Sequence, residues 1–250
     1  MATVATARAS ISPADRQAFH AAKWRREHVF FTILPIVMLA VVVVGFAPTY
    51  YLKSMFGTPE LRWLYHVHGL AFSSWLLLLI IQPALVLAGR TPLHRQLGWV
   101  AAVLVPVMTV LALMVSIDLG RRGSAPPGVP PLIFLVVPMA TVVVFPAFVA
   151  AALYWRGSPE THKRLMLIAT LELIPAGFGR WPGLAAMGPL AYFGGADLFV
   201  LAIAAHDVMT RGRVHRATIC GGALLVTSQL GRFALAATPA WESFAKWVIS

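Results

Sequence analysis

Val29-Phe30-Phe31-Thr32-Ile33-Leu34-Pro35-Ile36-Val37-Met38-Leu39-Ala40-Val41-Val42-Val43-Val44-Gly45-Phe46-Ala47 contains no ionisable residue. At 1.5 Å per residue a helix of this length crosses most of the ~30 Å hydrocarbon core of a bilayer. The run ends in Pro48-Thr49-Tyr50-Tyr51 without a small-residue cleavage site, so it reads as a retained span and not as a signal peptide. Six further apolar runs follow at about 67–88, 97–117, 131–155, 165–181, 189–206 and 217–237, separated by Gly, Pro and charged residues. The composition agrees: 59% of the 250 residues are hydrophobic and 12% charged, with a mean hydropathy of +0.77. No water-soluble domain has that balance. The fold expected is an all-α helical bundle with about seven transmembrane helices. Residues 1–28 form a cytoplasmic segment, 29–237 the membrane domain and 238–250 an exterior C-terminal segment. Pro175, Gly177 and Gly179 interrupt the fifth run, and Pro138 and Pro146 bend the fourth.

The net charge of +11 would point to nucleic acid in a soluble protein, but here it marks cationic loops facing the cytoplasm. With the N-terminus inside, 13 Lys and Arg, from Arg8 to Arg216, lie in the inner segments, against Lys53, Arg62, Arg121, Arg122 and Lys246 outside. This bias implies a multi-pass protein of a bacterial inner (plasma) membrane, with the lipid bilayer as its first partner and no nucleic acid. Trp63, Trp181, Trp241 and Trp247 fall at the outer interface, and Trp24, Trp99 and Trp155 at the inner one. The single cysteine, Cys220, excludes an internal disulfide.

Ionisable residues in hydrocarbon cost ~2.5–3.5 kcal/mol each even on the lenient insertion scale, so each needs a partner or a purpose. Glu172 lies near the midplane of the fifth helix, with Arg180 two turns further out. Asp197 and Arg232 share the outer half on helices six and seven. Asp197 with Arg232 or Arg180 is the expected pair, with Glu172 as a third member, and His68 adds a titratable group at the mouth of such a cavity. Gln82 and Gln229 are neutral hydrogen-bonding groups. His66 and His68 project about 200° apart on a helix and make a poor metal motif. Gly69 beside His68 allows close approach of a neighbouring helix or a flat cofactor.

Three inner turns share a pattern. Gly89–Arg95, Arg156–Arg164 and Arg211–Arg216 each run from Arg through turn residues to a His and then a basic residue that opens a helix. His94, His162 and His215 therefore stand on one side at similar depth. Interfacial anchoring is one account of them. Another is a b-type haem, which needs two imidazoles from different helices and basic groups such as Arg95, Lys163 and Arg164 for its propionates. A third is an anion or lipid headgroup at basic helix N-termini. His206-Asp207 would orient one of the imidazoles.

His68-Gly69, His94-Arg95-Gln96-Leu97-Gly98 and His162-Lys163-Arg164-Leu165-Met166 resemble motifs of a bacterial multi-span membrane family of unknown function. More distantly they resemble transmembrane cytochrome b proteins. The second resemblance, over about residues 65–235, implies paired histidines on facing helices, haem b, and electron transfer with a quinone or ascorbate. Such proteins carry a histidine pair on both sides of the membrane, and only the inner pair has a counterpart here.

Other chemistries lack their residues. A retinal Schiff base needs a mid-helix lysine, and Lys23, Lys53, Lys163 and Lys246 lie at ends or in loops. There is no His-Glu-x-x-His, no histidine box, no Gly-x-Ser-x-Gly and no P-loop. The leading reading is a redox protein with His94 and His162 as haem and metal ligands. His68, Glu172, Arg180, Asp197 and Arg232 then serve a quinone-like or proton site. The alternatives are a small-molecule or ion transporter, with the Pro175 break as a discontinuous helix, or a non-catalytic accessory subunit. Whether the chain is an enzyme stays open.

Overall fold

Charged and turn-forming residues divide the chain into long apolar helices because, in a bilayer, backbone polar groups must be satisfied within each segment. A computed structural model describes residues 12–126 and 128–250; Arg8 and the rest of residues 1–11 lie outside the described residues, as does Pro127. The helices are α1 Pro13–Phe46, α2 Trp63–Leu87, α3 Thr91–Arg121, α4 Val136–Tyr154, α5 Pro159–Leu171, α6 Pro189–Arg211, α7 Arg216–Ala236 and α8 Pro239–Ile249. Among the described residues there is no strand. Proline opens α5, α6 and α8, where its missing N–H leaves no bond unmade and its fixed φ suits a helix. Gly212 closes α6 with φ 72°, a left-handed cap that costs a residue without Cβ little.

Six of these segments are long and apolar enough to cross a membrane: Trp24–Tyr51, Trp63–Leu87, Thr91–Arg121, Pro131–Gly157, Pro189–Arg211 and Arg216–Ala236. The chain is an integral membrane protein. The fifth traverse is different. Thirteen residues of α5 reach about 20 Å, short of the ~30 Å core. The helix stops before Pro175, which has no N–H to donate and crowds the residue ahead of it. The break is bridged by tightened turns, Leu173 N–H to Thr170 O at 2.9 Å and Gly177 N–H to Ile174 O at 2.9 Å, before one further turn at Pro175–Phe178. Arg164 at its start lies with Glu27 and Arg211 at the inner end. Gly177 at its finish lies against Val41 and Val42 near the outer end of α1. The broken path therefore completes seven traverses.

The bundle is built around this path. α4, α7 and α6 pack on α5, the Pro175 turn packs on α1 and α6, and the indole of Trp75 on α2 donates to the Thr170 hydroxyl at 3.1 Å. Every residue from Leu167 to Pro175 is buried. A Cβ on Gly45 would stand 2.2 Å from the Gly177 carbonyl oxygen, so the absence of a side chain is what lets α1 touch the broken segment. The other helices expose large apolar side chains, among them Leu77, Val103, Val143, Leu198 and Leu224 at 50–67%, the surface that a bilayer covers. The fourth run breaks at Leu135, between Pro131–Phe134 and α4, a few residues ahead of Pro138, while Pro146 lies inside α4.

Residues 238–250 form a docked helix. Thr238 caps α8 by accepting from Trp241 N–H at 3.1 Å, the buried Trp241 indole donates to Leu132 O at 2.8 Å, and Arg121 donates to the Ile249 and Ser250 carbonyls at 3.1 and 2.8 Å. Phe244 and Trp247 point away from the bundle, exposed, as in a helix lying in a membrane interface.

Candidate functional site

His94 and His162 meet. Each opens its helix after a tight turn, and their rings lie 6.4 Å apart between centroids at 89°. The turns fix them. His94 Nδ1 stands 3.3 Å from Gln82 O across the α2–α3 turn, and His162 Nδ1–H donates to Ala152 O across the α4–α5 turn at 2.8 Å. The His162 imidazole thereby satisfies a carbonyl in the last turn of α4 and keeps Nε2 for another task. The Gln82 amide closes on the first turn, its oxygen accepting from Gly98 N–H at 3.1 Å and its nitrogen donating to His94 O at 3.1 Å and to His94 Nδ1 at 2.5 Å.

The third member of the repeat does not join them. His215 Nδ1 accepts from Ala217 N–H at 3.1 Å, so the ring caps its own helix and has no contact with the other two. Burial first, then Arg164 and Arg211, push its pKa down.

Lys163 and Arg164 are held by carboxylates. Lys163 Nζ lies 2.8 Å from Glu27 and 2.7 Å from Glu160. Arg164, fully buried, donates from Nε to both Asp207 oxygens at 3.0 and 3.2 Å, from Nη2 to Asp207 Oδ1, and from Nη1 to Glu160 Oε2 at 2.8 Å. Asp207 also accepts from His215 N–H at 3.0 Å and from the Thr218 hydroxyl at 2.7 Å. Arg211 completes the network on Glu160. Three carboxylates thus meet three cations on α1, α5 and α6, with Thr218 and His215 N–H of α7 locked to the same anion. The expectation that Asp207 orients an imidazole is corrected: its acceptor capacity goes to a guanidinium, a hydroxyl and a backbone N–H. His206 instead stacks on Phe30, 4.0 Å between centroids, with both ring nitrogens lacking a hydrogen-bond partner among the described residues. Arg95 is exposed and, among the described residues, has no carboxylate partner.

In the outer half the pairing differs from that read by depth. Arg232 pairs with Glu172, both buried, and Glu172 Oε1 also accepts from the Thr141 hydroxyl at 2.8 Å. Asp197 accepts from Gln229 at 3.1 Å and, among the described residues, has no arginine partner. Depth gives no azimuth: Gln229 and Arg232 share a face of α7, and that face meets α6 at one and α5 at the other. Arg180 stands apart, over the Phe46 ring at 4.0 Å and donating to Ala176 O at 2.6 Å. His68 stacks on Phe72, 4.1 Å between centroids. What approaches Gly69 is the Tyr50 ring, 2.4 Å from where a Cβ would stand, so a protein side chain fills the space that a flat cofactor would need.

No family model, curated protein or solved structure matches the chain. Function rests on these sites alone. Glu27, Glu160, Thr141 and Asp207 are structural partners that loop-charge counting passed over; the Glu160 spacing to Lys163 and Arg164 was the signal available for one of them. Among the described residues no three His, Cys, Asp or Glu gather as metal ligands, so the histidine pair is the arrangement with ligand chemistry. Two imidazoles from different helices are the donor set that a b-type haem would need, and His94 and His162 supply them.

Proposed function

We propose that the chain is a membrane redox protein of the bacterial inner membrane in which His94 and His162 ligate one b-type haem. The observation that carries the reading is the juxtaposition of two imidazoles from different helices, 6.4 Å apart between ring centroids, with His162 Nδ1–H tied to the Ala152 carbonyl. That tie fixes the His162 tautomer with Nε2 free and raises its basicity, as outer-shell hydrogen bonds do at metal sites. One-electron transfer is the chemistry a b-type haem supplies. This chain's contribution is to orient both ligands and to shield the pair from solvent by half-burying both rings. Arg95 is the available propionate partner; Lys163 and Arg164 are neutralised by Glu27, Glu160 and Asp207. In the same reading Glu172 and Arg232, whose Oε2 and Nε have no partner among the described residues, receive a quinone-like molecule or a proton.

The test is an ultraviolet–visible spectrum of the protein purified from haem-replete cells, oxidised and then dithionite-reduced. A reduced α-band that vanishes in both His94→Ala and His162→Ala supports the reading. A colourless wild-type protein, or a band that survives both substitutions, refutes it.

A second reading, a transporter, is favoured by the break in α5 beside the Glu172–Arg232 pair, the form of a discontinuous-helix binding site. Thr141→Cys in a Cys220→Ser background tests it. Labelling by a membrane-impermeant thiol reagent from one side supports an aqueous path, and no labelling from either side refutes one.

A further inference from the structure

A groove of about 1130 Å³ runs between α4 and α7, and neither His94 nor His162 lines it. Small side chains make it: Ala147 and Ala151 on one wall face Cys220 and Gly221 on the other, over a floor of Leu165. Its inner end is basic, with Arg213, His215 and Arg216 on the α6–α7 turn. Arg211 there is already paired with Glu160, whereas Arg213 and Arg216 are exposed and have no carboxylate partner among the described residues. No acidic residue lines the groove. From Arg216 to Ser228, both lining residues, α7 climbs about 18 Å, against the ~15 Å depth of one leaflet's hydrocarbon. Charge at the membrane surface and apolar wall over one leaflet's depth are the two halves of a phospholipid in order.

We propose that the groove binds an anionic glycerophospholipid of the leaflet at the basic end, its phosphate on Arg213 and Arg216 and one acyl chain along Ala151, Ala147 and Leu224. The anionic headgroup follows from charge complementarity, since two free guanidiniums face the groove mouth and no acid opposes them. A free anion would use only the mouth, and a zwitterionic lipid would bring its own cation to two arginines. The proposal is independent of the haem reading: no residue of the histidine pair lines the groove.

The single cysteine reports occupancy, because Cys220 is exposed and lines the groove. The full-length protein in neutral detergent is treated with N-ethylmaleimide, and the alkylation rate is followed by intact mass. Dioleoylphosphatidylglycerol is expected to slow the reaction, while dioleoylphosphatidylcholine at equal mole fraction and inorganic phosphate leave it near the detergent rate. Replacing one arginine should weaken the protection about five-fold in lipid concentration, the ratio that one basic side chain at an anionic surface carries. Arg213→Gln/Arg216→Gln should abolish it, and Arg213→Lys/Arg216→Lys should retain most of it; an unchanged detergent-only rate shows that each variant is folded. Equal protection by both lipids would overturn the headgroup assignment. Protection by phosphate alone would reduce the site to a free-anion site, and no protection by phosphatidylglycerol would refute lipid binding in the groove.

Discussion

Asp207→Asn keeps the volume of a side chain that holds Arg164, Thr218 and His215 N–H together and removes its charge. Arg164 then remains a fully buried guanidinium whose closest carboxylate is Glu160 at 2.8 Å, with Glu27 at 3.9 Å. Removing one member of a buried pair costs ~3–5 kcal/mol because the other charge stays behind uncompensated. Glu160 retains part of the compensation, which puts the expected loss at the lower end, ~3 kcal/mol. For a chain of this size each kcal/mol lowers Tm by about 2–4 °C, so the midpoint should fall by about 6–12 °C. Glu242→Gln, which breaks the exposed pair with Lys246, should leave Tm unchanged within error. Arg164→Met/Asp207→Asn deletes both charges and should recover stability relative to Asp207→Asn alone, a non-additivity of ~0.5–3 kcal/mol. The assay is thermal unfolding in one detergent, followed by intrinsic tryptophan fluorescence and far-ultraviolet circular dichroism. A Tm of Asp207→Asn indistinguishable from that of Glu242→Gln would refute the reasoning, as would a double variant whose loss equals the sum of the single ones.

Thr141→Val removes a hydroxyl that donates to Glu172 at 2.8 Å, a bond to a charged group worth ~1.5–3 kcal/mol. Thr109→Val, whose hydroxyl donates to its own helix at Val105, should be near neutral, and equal Tm values for the two would contradict the role given to Thr141. Gly45→Val drives a Cβ onto the Gly177 carbonyl, backbone against backbone, and should abolish the monodisperse size-exclusion peak, whereas Gly98→Ala, which meets nothing within 4 Å, should retain it. Stability should also fall in acid. The unfolded chain protonates His215 near 6.5 and the folded chain below that, so the folded state is disfavoured as the pH drops beneath about 6.5. Unfolding midpoints should be level above about pH 7 and decline toward pH 5, with a shallower slope in His215→Gln. A midpoint that rises toward pH 5 would overturn the assignment.

The seven traverses were legible because each is a property of composition along the chain, which the bilayer sets directly. The inner repeat was legible as well, and its physical cause is visible at two of three turns, where His94 meets Gln82 of the preceding helix and His162 binds the Ala152 carbonyl. His215 has the same neighbours in sequence but caps its own helix, since Asp207 already takes its backbone N–H. The ion pairs were not legible. Arg164 and Asp207 are 43 residues apart and Arg232 and Glu172 are 60 apart, and their meeting depends on which face each helix turns toward a neighbour. Depth calculated from helix rise orders residues along the membrane normal and leaves that rotation undetermined, which is why Asp197 was matched with Arg232 when its partner is Gln229.

The same physics explains why the least helix-like traverse carries the charges. A helix on the rim of the bundle faces lipid on one side, and an ionisable group there has no partner and no water. α5 is enclosed by α4, α6 and α7, with α2 reaching it through Trp75. It therefore tolerates Arg164 at one end and Glu172 at the other, and a turn at 172–174 whose freed backbone groups would be exposed to hydrocarbon anywhere else. Two ionisable residues, Glu172 and Arg180, and a proline break, which weaken the case for residues 165–181 as a membrane helix, are the features that assign this segment to the centre. The candidate chemistry follows from that position: His162 enters at the inner end of the central path, and Glu172 stands at its break.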